Sequence, residues 1–218
     1  MAIVAAGYDR IAQRYLAWSG PSVVRREQLD RLLALLSRGS RVLELGCGAG
    51  EPVTRELSEL HPVTAVDVSS TQLALAASGA PKATLIQADM STLDLPEQTF
   101  DAVVAFYSMT HVPRDRHAGL LARIAGWLRP GGLFFATMGA SDNPDDYGDD
   151  WLGAPMFWSH FDADTNRALV QAAGLDLVEA TVIDEDEDGV AVPFLWVVAR
   201  ARERSSGRAP GPCPRGHR

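Results

Sequence analysis

Two rhythms of apolar positions run along the chain. Short apolar runs that close on an acid or a glycine alternate with longer stretches whose apolar residues recur every three to four positions. The first pattern predicts strands buried on both faces, and the second predicts amphipathic helices that cover them. Helices are expected over residues 8–18 and 24–37, before a first strand at Val42-Leu43-Glu44-Leu45. A helix over about 51–59, a strand at 63–67, a helix at 71–77 and a strand at 83–88 come next. The pattern then gives a strand at 100–106, a helix at 115–128 and a strand at 133–138. A helix at 163–173 stopped by Gly174, and strands at 176–183 and 192–200 around an acidic turn, complete it. This order is that of an α/β fold with a largely parallel sheet covered on both faces.

The first strand runs into Gly46-Cys47-Gly48-Ala49-Gly50. Glycines at alternate positions suit a sharp strand-to-helix turn in which a ligand touches the backbone, because positive φ and close approach are costly with a Cβ. Pro52 fits the first turn of the helix that follows. Glu44 stands two places before the first glycine, Asp67 closes the second strand and Asp89 follows the third, at intervals of about twenty-two residues. A dinucleotide brings a pyrophosphate to such a turn, which a buried carboxylate would repel; a ligand carrying an ammonium and a sulfonium would not be repelled.

The segment Glu44-x-Gly46-x-Gly48-x-Gly50 resembles the first motif of class I S-adenosylmethionine-dependent methyltransferases, in particular their small-molecule type 11 group. The turn Leu128-x-Pro130-Gly131-Gly132 is a second match, and Tyr8-Asp9-x-Ile11-Ala12-x-x-Tyr15 is similar to the N-terminal segment that closes over the cofactor. The resemblance covers residues 8–200 and implies a Rossmann-like seven-stranded, mostly parallel sheet with a C-terminal antiparallel hairpin. Its implied cofactor is S-adenosyl-L-methionine. Glu44 would lie near the methionine end, Asp67 at the ribose hydroxyls, and Asp89 and Met90 at the adenine, with Gly46, Cys47, Gly48, Gly50, Val68 and Phe106 also binding the cofactor. Tyr15 has two roles open to it, reaching the methionine carboxylate or packing its helix on the sheet.

Composition sets the bounds. The 218 residues suffice for one α/β domain: a helical cap over 1–40 belonging to it, a cofactor-binding body over 41–200, and a basic tail over 201–218, rich in Pro, Gly and Ser, that reads as disordered. Acids outnumber bases 28 to 20, which disfavours a nucleic-acid partner. No apolar run reaches membrane-spanning length and the first residues do not resemble a signal peptide, so a cytoplasmic monomer or homodimer is expected. Lys82 is the sole lysine and no Tyr-x-x-x-Lys pair exists, which counts against a short-chain dehydrogenase. Cys47 and Cys213 form no framework, and no metal site is expected. Asp184, Asp186, Asp188 and Gly189 open like a calcium loop, but Leu195 stands where its glutamate belongs, so the segment reads as a solvated hairpin tip. The aspartate-rich run 142–150 reads as a solvated mobile lid.

Methyl transfer from a sulfonium needs alignment and dryness more than acid catalysis, although a hydroxyl nucleophile gains from a base. His111, after the fourth strand, and His160, after the fifth, are the candidates; His111 could equally pack its loop on the sheet. His61 in a surface turn, His117 at an exposed helix start and His217 in the tail are set aside. Tyr107, Trp151, Met156, Phe157 and Trp158, with both candidate histidines, would wall a pocket for a small apolar or aromatic acceptor. The expected chemistry is O-methylation in secondary metabolism; N-methylation of a small amine, or a cofactor-binding protein with altered or lost transfer chemistry, are the alternatives.

Overall fold

The computed structural model describes residues 1–203. The tail reading for 201–218, with His217 and Cys213, lies outside the described residues from 204 onward. Helices α1 (Ala2–Trp18) and α2 (Val23–Leu35) precede the sheet. Then follow β1 (Val42–Leu45), α3 (Val53–Leu60), β2 (Val63–Asp67), α4 (Ser70–Gly79) and β3 (Thr84–Gln87). The second half holds β4 (Phe100–Ala105), α5 (His117–Trp127), β5 (Leu128–Gly139), β6 (Asn143–Trp151), β7 (Ala154–His160), α6 (Ala163–Ala172), β8 (Leu175–Glu187) and β9 (Val190–Ala201).

Seven strands form one sheet in the order β3-β2-β1-β4-β5-β9-β8, with β9 antiparallel to both β5 and β8 and the remaining pairs parallel. The chain winds outward from β1 to β3 and then returns to the other side of β1. A crevice therefore opens between the carboxyl ends of β1 and β4, where ligands of open α/β sheets bind. Successive strand residues face opposite layers, and both layers are buried. Leu43, Leu45, Val103 and Phe134 pack with Leu120, Leu121 and Ile124 of α5; Val42, Ala102, Val104 and Phe135 pack with Leu29 and Leu32 of α2 and Leu57 of α3. Side-chain caps fix three helix starts: Ser22 accepts from Arg25 N, Ser69 from Gln72 N and Asp162 from Thr165 N. No helix among the described residues is long and apolar enough to cross a membrane.

Three expectations need correction. Residues 142–150 are not an irregular lid: β6 pairs with β7 around a turn whose Leu152 and Gly153 have φ of 53° and 93°. Helix α1 covers this hairpin through Val4 and Ile11, so Met156 and Phe157 belong to a third buried cluster. The acidic segment is not merely a hairpin tip, because β8 and β9 stay paired to Glu187↔Val190 and only Asp188 and Gly189 turn. His61 and His117 are both buried. His61 ends α3 with its N–H on Leu57 O, while His117 shares the inner face of α5 with Leu120, Leu121 and Ile124 and donates from Nε2 to Val112 O at 2.9 Å.

Candidate active site

The crevice starts at the glycine turn. Gly46, Gly48 and Gly50 all have positive φ, at 76°, 53° and 79°, but their surroundings differ. A Cβ on Gly46 would collide with Ser108, whose hydroxyl donates to Leu45 O at 2.7 Å and pins β4 to β1. A Cβ on Gly50 would press on Ala76 of α4 at 3.2 Å. At Gly48 the space is open, with nothing nearer than Gln72 Oε1 at 3.9 Å. Gly46 and Gly50 therefore let the turn pack, while Gly48 leaves room beside its backbone.

Asp67 at the end of β2 links the turn to α4: Oδ2 accepts from Gly48 N at 2.8 Å and Oδ1 from Ser69 N at 2.9 Å. Burial raises its pKa, against the pull of those backbone N–H groups. Each oxygen keeps a second lone pair for a ligand hydroxyl. Gln72 is fully buried beside it and lines the same crevice, with neither amide atom hydrogen-bonded. Val68, Ala88, Met90 and Phe106 supply apolar walls.

At the other end of the turn, Glu44 and Arg25 line a second recess with Cys47, Phe106 and Tyr107. Burial lifts the Glu44 carboxyl to about 8, aided by the charge of Asp67 and opposed by the Thr54 hydroxyl, which donates to it at 2.6 Å. Burial likewise pushes the Cys47 thiol up, so it is no nucleophile at neutral pH. The Arg25 guanidinium donates to Ser19 O and Gly20 O and lies 5.8 Å from the centre of the Tyr107 ring.

Beyond the crevice lies a cavity of about 790 Å³. Tyr8, Tyr15, Tyr107 and His111 line both spaces. His111 follows β4 in a short turn, Met109–His111, and is buried. Its Nδ1 is 2.8 Å from Phe157 O, which can only accept, so Nδ1 carries the proton and Nε2 accepts from the Tyr8 hydroxyl at 2.8 Å. Burial lowers the imidazole pKa to about 4. Tyr107 holds φ of 54°, unusual for an aromatic residue, and its hydroxyl donates to Glu185 Oε2 at 2.7 Å. Ser22 Oγ at 2.8 Å and Trp196 Nε1 at 2.9 Å donate to the same carboxylate.

Of the residues singled out for the cofactor, Tyr15, Gly46, Gly48, Asp67, Val68, Met90 and Phe106 line the crevice, and Glu44 and Cys47 line its second recess. Gly50 stands behind it. Asp89 is also outside: its carboxylate accepts from Ser91 N at 2.8 Å and lies 3.7 Å from Arg116. Tyr107, His111, Trp151, Trp158 and His160 line the cavity, with His160 Nδ1 donating to Ser141 O at 2.7 Å. Met156 and Phe157 do not line it, being packed under α1. Sequence reasoning missed Gln72, Arg25, Trp18, Glu185 and Glu187, and saw Tyr8 only as part of a motif. Residues 184–188 are all acidic, so no alternation of apolar and polar positions marks the half-buried Glu185 and Glu187 in the sequence.

Comparison with known proteins agrees with this architecture. The family model for a methyltransferase domain matches residues 42–132. The sterol 24-C-methyltransferase ERG6B of Gibberella zeae is 28% identical over 180 residues, covering 72% of this chain and 45% of that protein. The 27-O-demethylrifamycin SV methyltransferase of Amycolatopsis mediterranei is 36% identical over 112 residues, 47% of this chain and 40% of that one. Among solved structures, the 1,6-didemethyltoxoflavin-N1-methyltransferase of Burkholderia thailandensis, with 1,6-didemethyltoxoflavin and S-adenosylhomocysteine bound, has the same fold at a TM-score of 0.70. It is 24% identical, over 93% of this chain and 88% of that one. The chain spans about half the length of the curated relatives it matches. The matched methyltransferase domain runs from the glycine-turn strand to the Pro-Gly-Gly turn, inside a seven-stranded sheet of this order.

Proposed function

We propose that the protein methylates a small apolar or aromatic acceptor at a hydroxyl oxygen, with S-adenosylmethionine as donor. One observation carries this reading: the hydrogen-bonded pair Tyr8–His111 stands in the wall shared by the crevice and the aromatic cavity. The crevice suits the donor. Gln72 offers a buried, unpaired amide, Asp67 has lone pairs for ribose hydroxyls, and Val68, Met90 and Phe106 flank a flat ring. Glu44 would meet the ammonium, and Arg25 or Tyr15 the carboxylate.

Bound S-adenosylmethionine supplies a methyl carbon that leaves its sulfur, as a neutral thioether, while bonding to the acceptor oxygen. The protein's own residues align that oxygen and take its proton. An attacking hydroxyl turns strongly acidic as its new bond forms, so a weak base suffices. Tyr8 Oη can accept that proton while passing its own to His111 Nε2, whose other nitrogen stays fixed on Phe157 O. Helix α1 covers both spaces with Tyr8 and Tyr15 and excludes water from the reacting groups. The rifamycin relative supports a setting in secondary metabolism.

Calorimetry with S-adenosylhomocysteine tests the donor half. Tight binding should weaken about tenfold to a hundredfold in Asp67→Ala, the loss of charge-assisted hydrogen bonds worth about 1.5–3 kcal/mol. Unchanged affinity would remove Asp67 from the site. For the acceptor half, methyl-labelled donor is incubated with a panel of phenols and alcohols. Label in an ether product supports the reading, and label only in amine or carbon products overturns the choice of oxygen.

A further inference from the structure

The cavity that would receive the acceptor is lopsided in charge, and this inference rests on the reading of that cavity as the acceptor site. Asp184 to Asp188 all border the cavity, and within this run Glu185 and Glu187 are half-buried while Asp184 and Asp186 are exposed. Glu185 is saturated by Tyr107, Ser22 and Trp196. The neighbouring Asp188 accepts from Trp18 Nε1 at 2.8 Å, which ties the hairpin to the end of α1. Glu187 lines the cavity, and its carboxylate has no hydrogen-bond or ion-pair partner among the described residues. Burial, then the charges of Glu185 and Asp188, raise its pKa, and its own charge is felt by Tyr8 and Tyr15. A half-buried carboxylate in this position lacks its counter-charge.

Four rings that line the same cavity pack on one another. Trp151 stands edge-on to Trp18 at 5.5 Å and to Trp158 at 5.6 Å between centroids, and Tyr15 lies 5.7 Å from Trp151. Such faces attract a desolvated cation. The cavity's basic side chains do not compensate Glu187: Arg25 is held by Ser19 O and Gly20 O and lies over Tyr107, His160 is tied to Ser141 O, and His111 is held neutral by burial between Phe157 O and Tyr8.

We propose that the acceptor carries an ammonium group, bound at the end of the cavity bounded by Glu187, Tyr15, Trp18 and Trp151, and that the methylated atom is a separate, uncharged hydroxyl near Tyr8. The two roles must fall on different atoms. A protonated amine has no lone pair with which to attack, and a carboxylate beside it keeps it protonated. The amine is therefore a handle for affinity and orientation, and the oxygen is the nucleophile.

The test uses three para-substituted phenols on the full-length protein saturated with S-adenosylhomocysteine: tyramine as cation, its isostere para-propylphenol as neutral and para-hydroxyphenylpropionate as anion. Titration calorimetry should show tyramine binding about tenfold more tightly than para-propylphenol, with the anion weakest. That ratio should shrink as salt is raised and fall to about one in Glu187→Gln. Equal or tighter binding of the neutral or anionic probe, no binding of any of the three, or a ratio untouched by Glu187→Gln would overturn the proposal. The wild-type ratio and its salt dependence decide the matter even if the variant does not fold. Failure to bind S-adenosylhomocysteine in the first place would instead strike the donor reading.

Discussion

The crevice and the cavity touch through four side chains, yet they are built on opposite principles. The crevice is founded on backbone architecture: three strand ends, a glycine turn and one carboxylate holding two N–H groups, all within residues 44–90, with Tyr8 and Tyr15 of α1 laid over them. The cavity is assembled from distant pieces, in which Trp18 of α1 meets Asp188, Ser22 meets Glu185, and His111 meets both Tyr8 and Phe157. A backbone-made site tolerates little change in its turn but needs few particular side chains. A site made of side chains from distant segments can be recast one residue at a time without disturbing the sheet, which fits one fold serving many acceptors.

Changes confined to one region should therefore spare the other. The largest effect is expected at Gly46, where alanine meets Ser108 and an unfavourable positive φ; about 3 kcal/mol of stability and all cofactor binding should be lost in denaturation and calorimetry. In the wall that the two regions share, His111→Ala should lower kcat about a hundredfold and Tyr8→Phe about tenfold. Because burial places the His111 pKa at about 4, kcat should stay level down to about pH 5 and fall only as pH drops through that value, when Nε2 is protonated and can no longer accept. An acid limb near the ordinary histidine value of about 6.5 would contradict this assignment.

A subtler effect belongs to the crevice alone. With its carboxyl raised to about 8, Glu44 is mostly protonated at pH 7; an arriving ammonium favours the ionised form and expels that proton. Calorimetry in buffers of different ionisation enthalpy should register release of close to one proton at pH 7, vanishing above about pH 9 and in Glu44→Gln. Met156→Leu should do least, costing less than about 1.5 kcal/mol in melting experiments and leaving the choice of acceptor unchanged, since the side chain lies under α1. Altered acceptor preference would return Met156 to the pocket wall.

The same contrast explains what could be read in the sequence. Val42 to Leu45 is buried throughout and Asp67 ends an apolar run, so strand, turn and ligand acid are written in consecutive residues. The hairpin of β6 and β7 left no such trace. Asn143–Trp151 is exposed along most of its length, and Pro144 and Gly148 mimic a loop; only the pairing with β7 makes it a strand. Met156 and Phe157 looked like pocket residues because nothing in their own segment announces the helix that covers them. His117 was legible, since it continues the spacing of Leu120, Leu121 and Ile124 on the apolar face of α5. The hydrogen bond from Tyr8 to His111 joins residues 103 positions apart and leaves no local pattern.

The central claim is that Tyr8 and His111 stand where donor and acceptor meet. A crystal structure of the S-adenosylhomocysteine complex tests it directly. The account predicts the adenosine between Asp67 and Met90, and the sulfur at the opening into the aromatic cavity, so that a methyl carried on it would face an acceptor atom within about 3.5 Å beside Tyr8 Oη. A sulfur turned away from Tyr8, or separated from the cavity by the His111 ring, would contradict it.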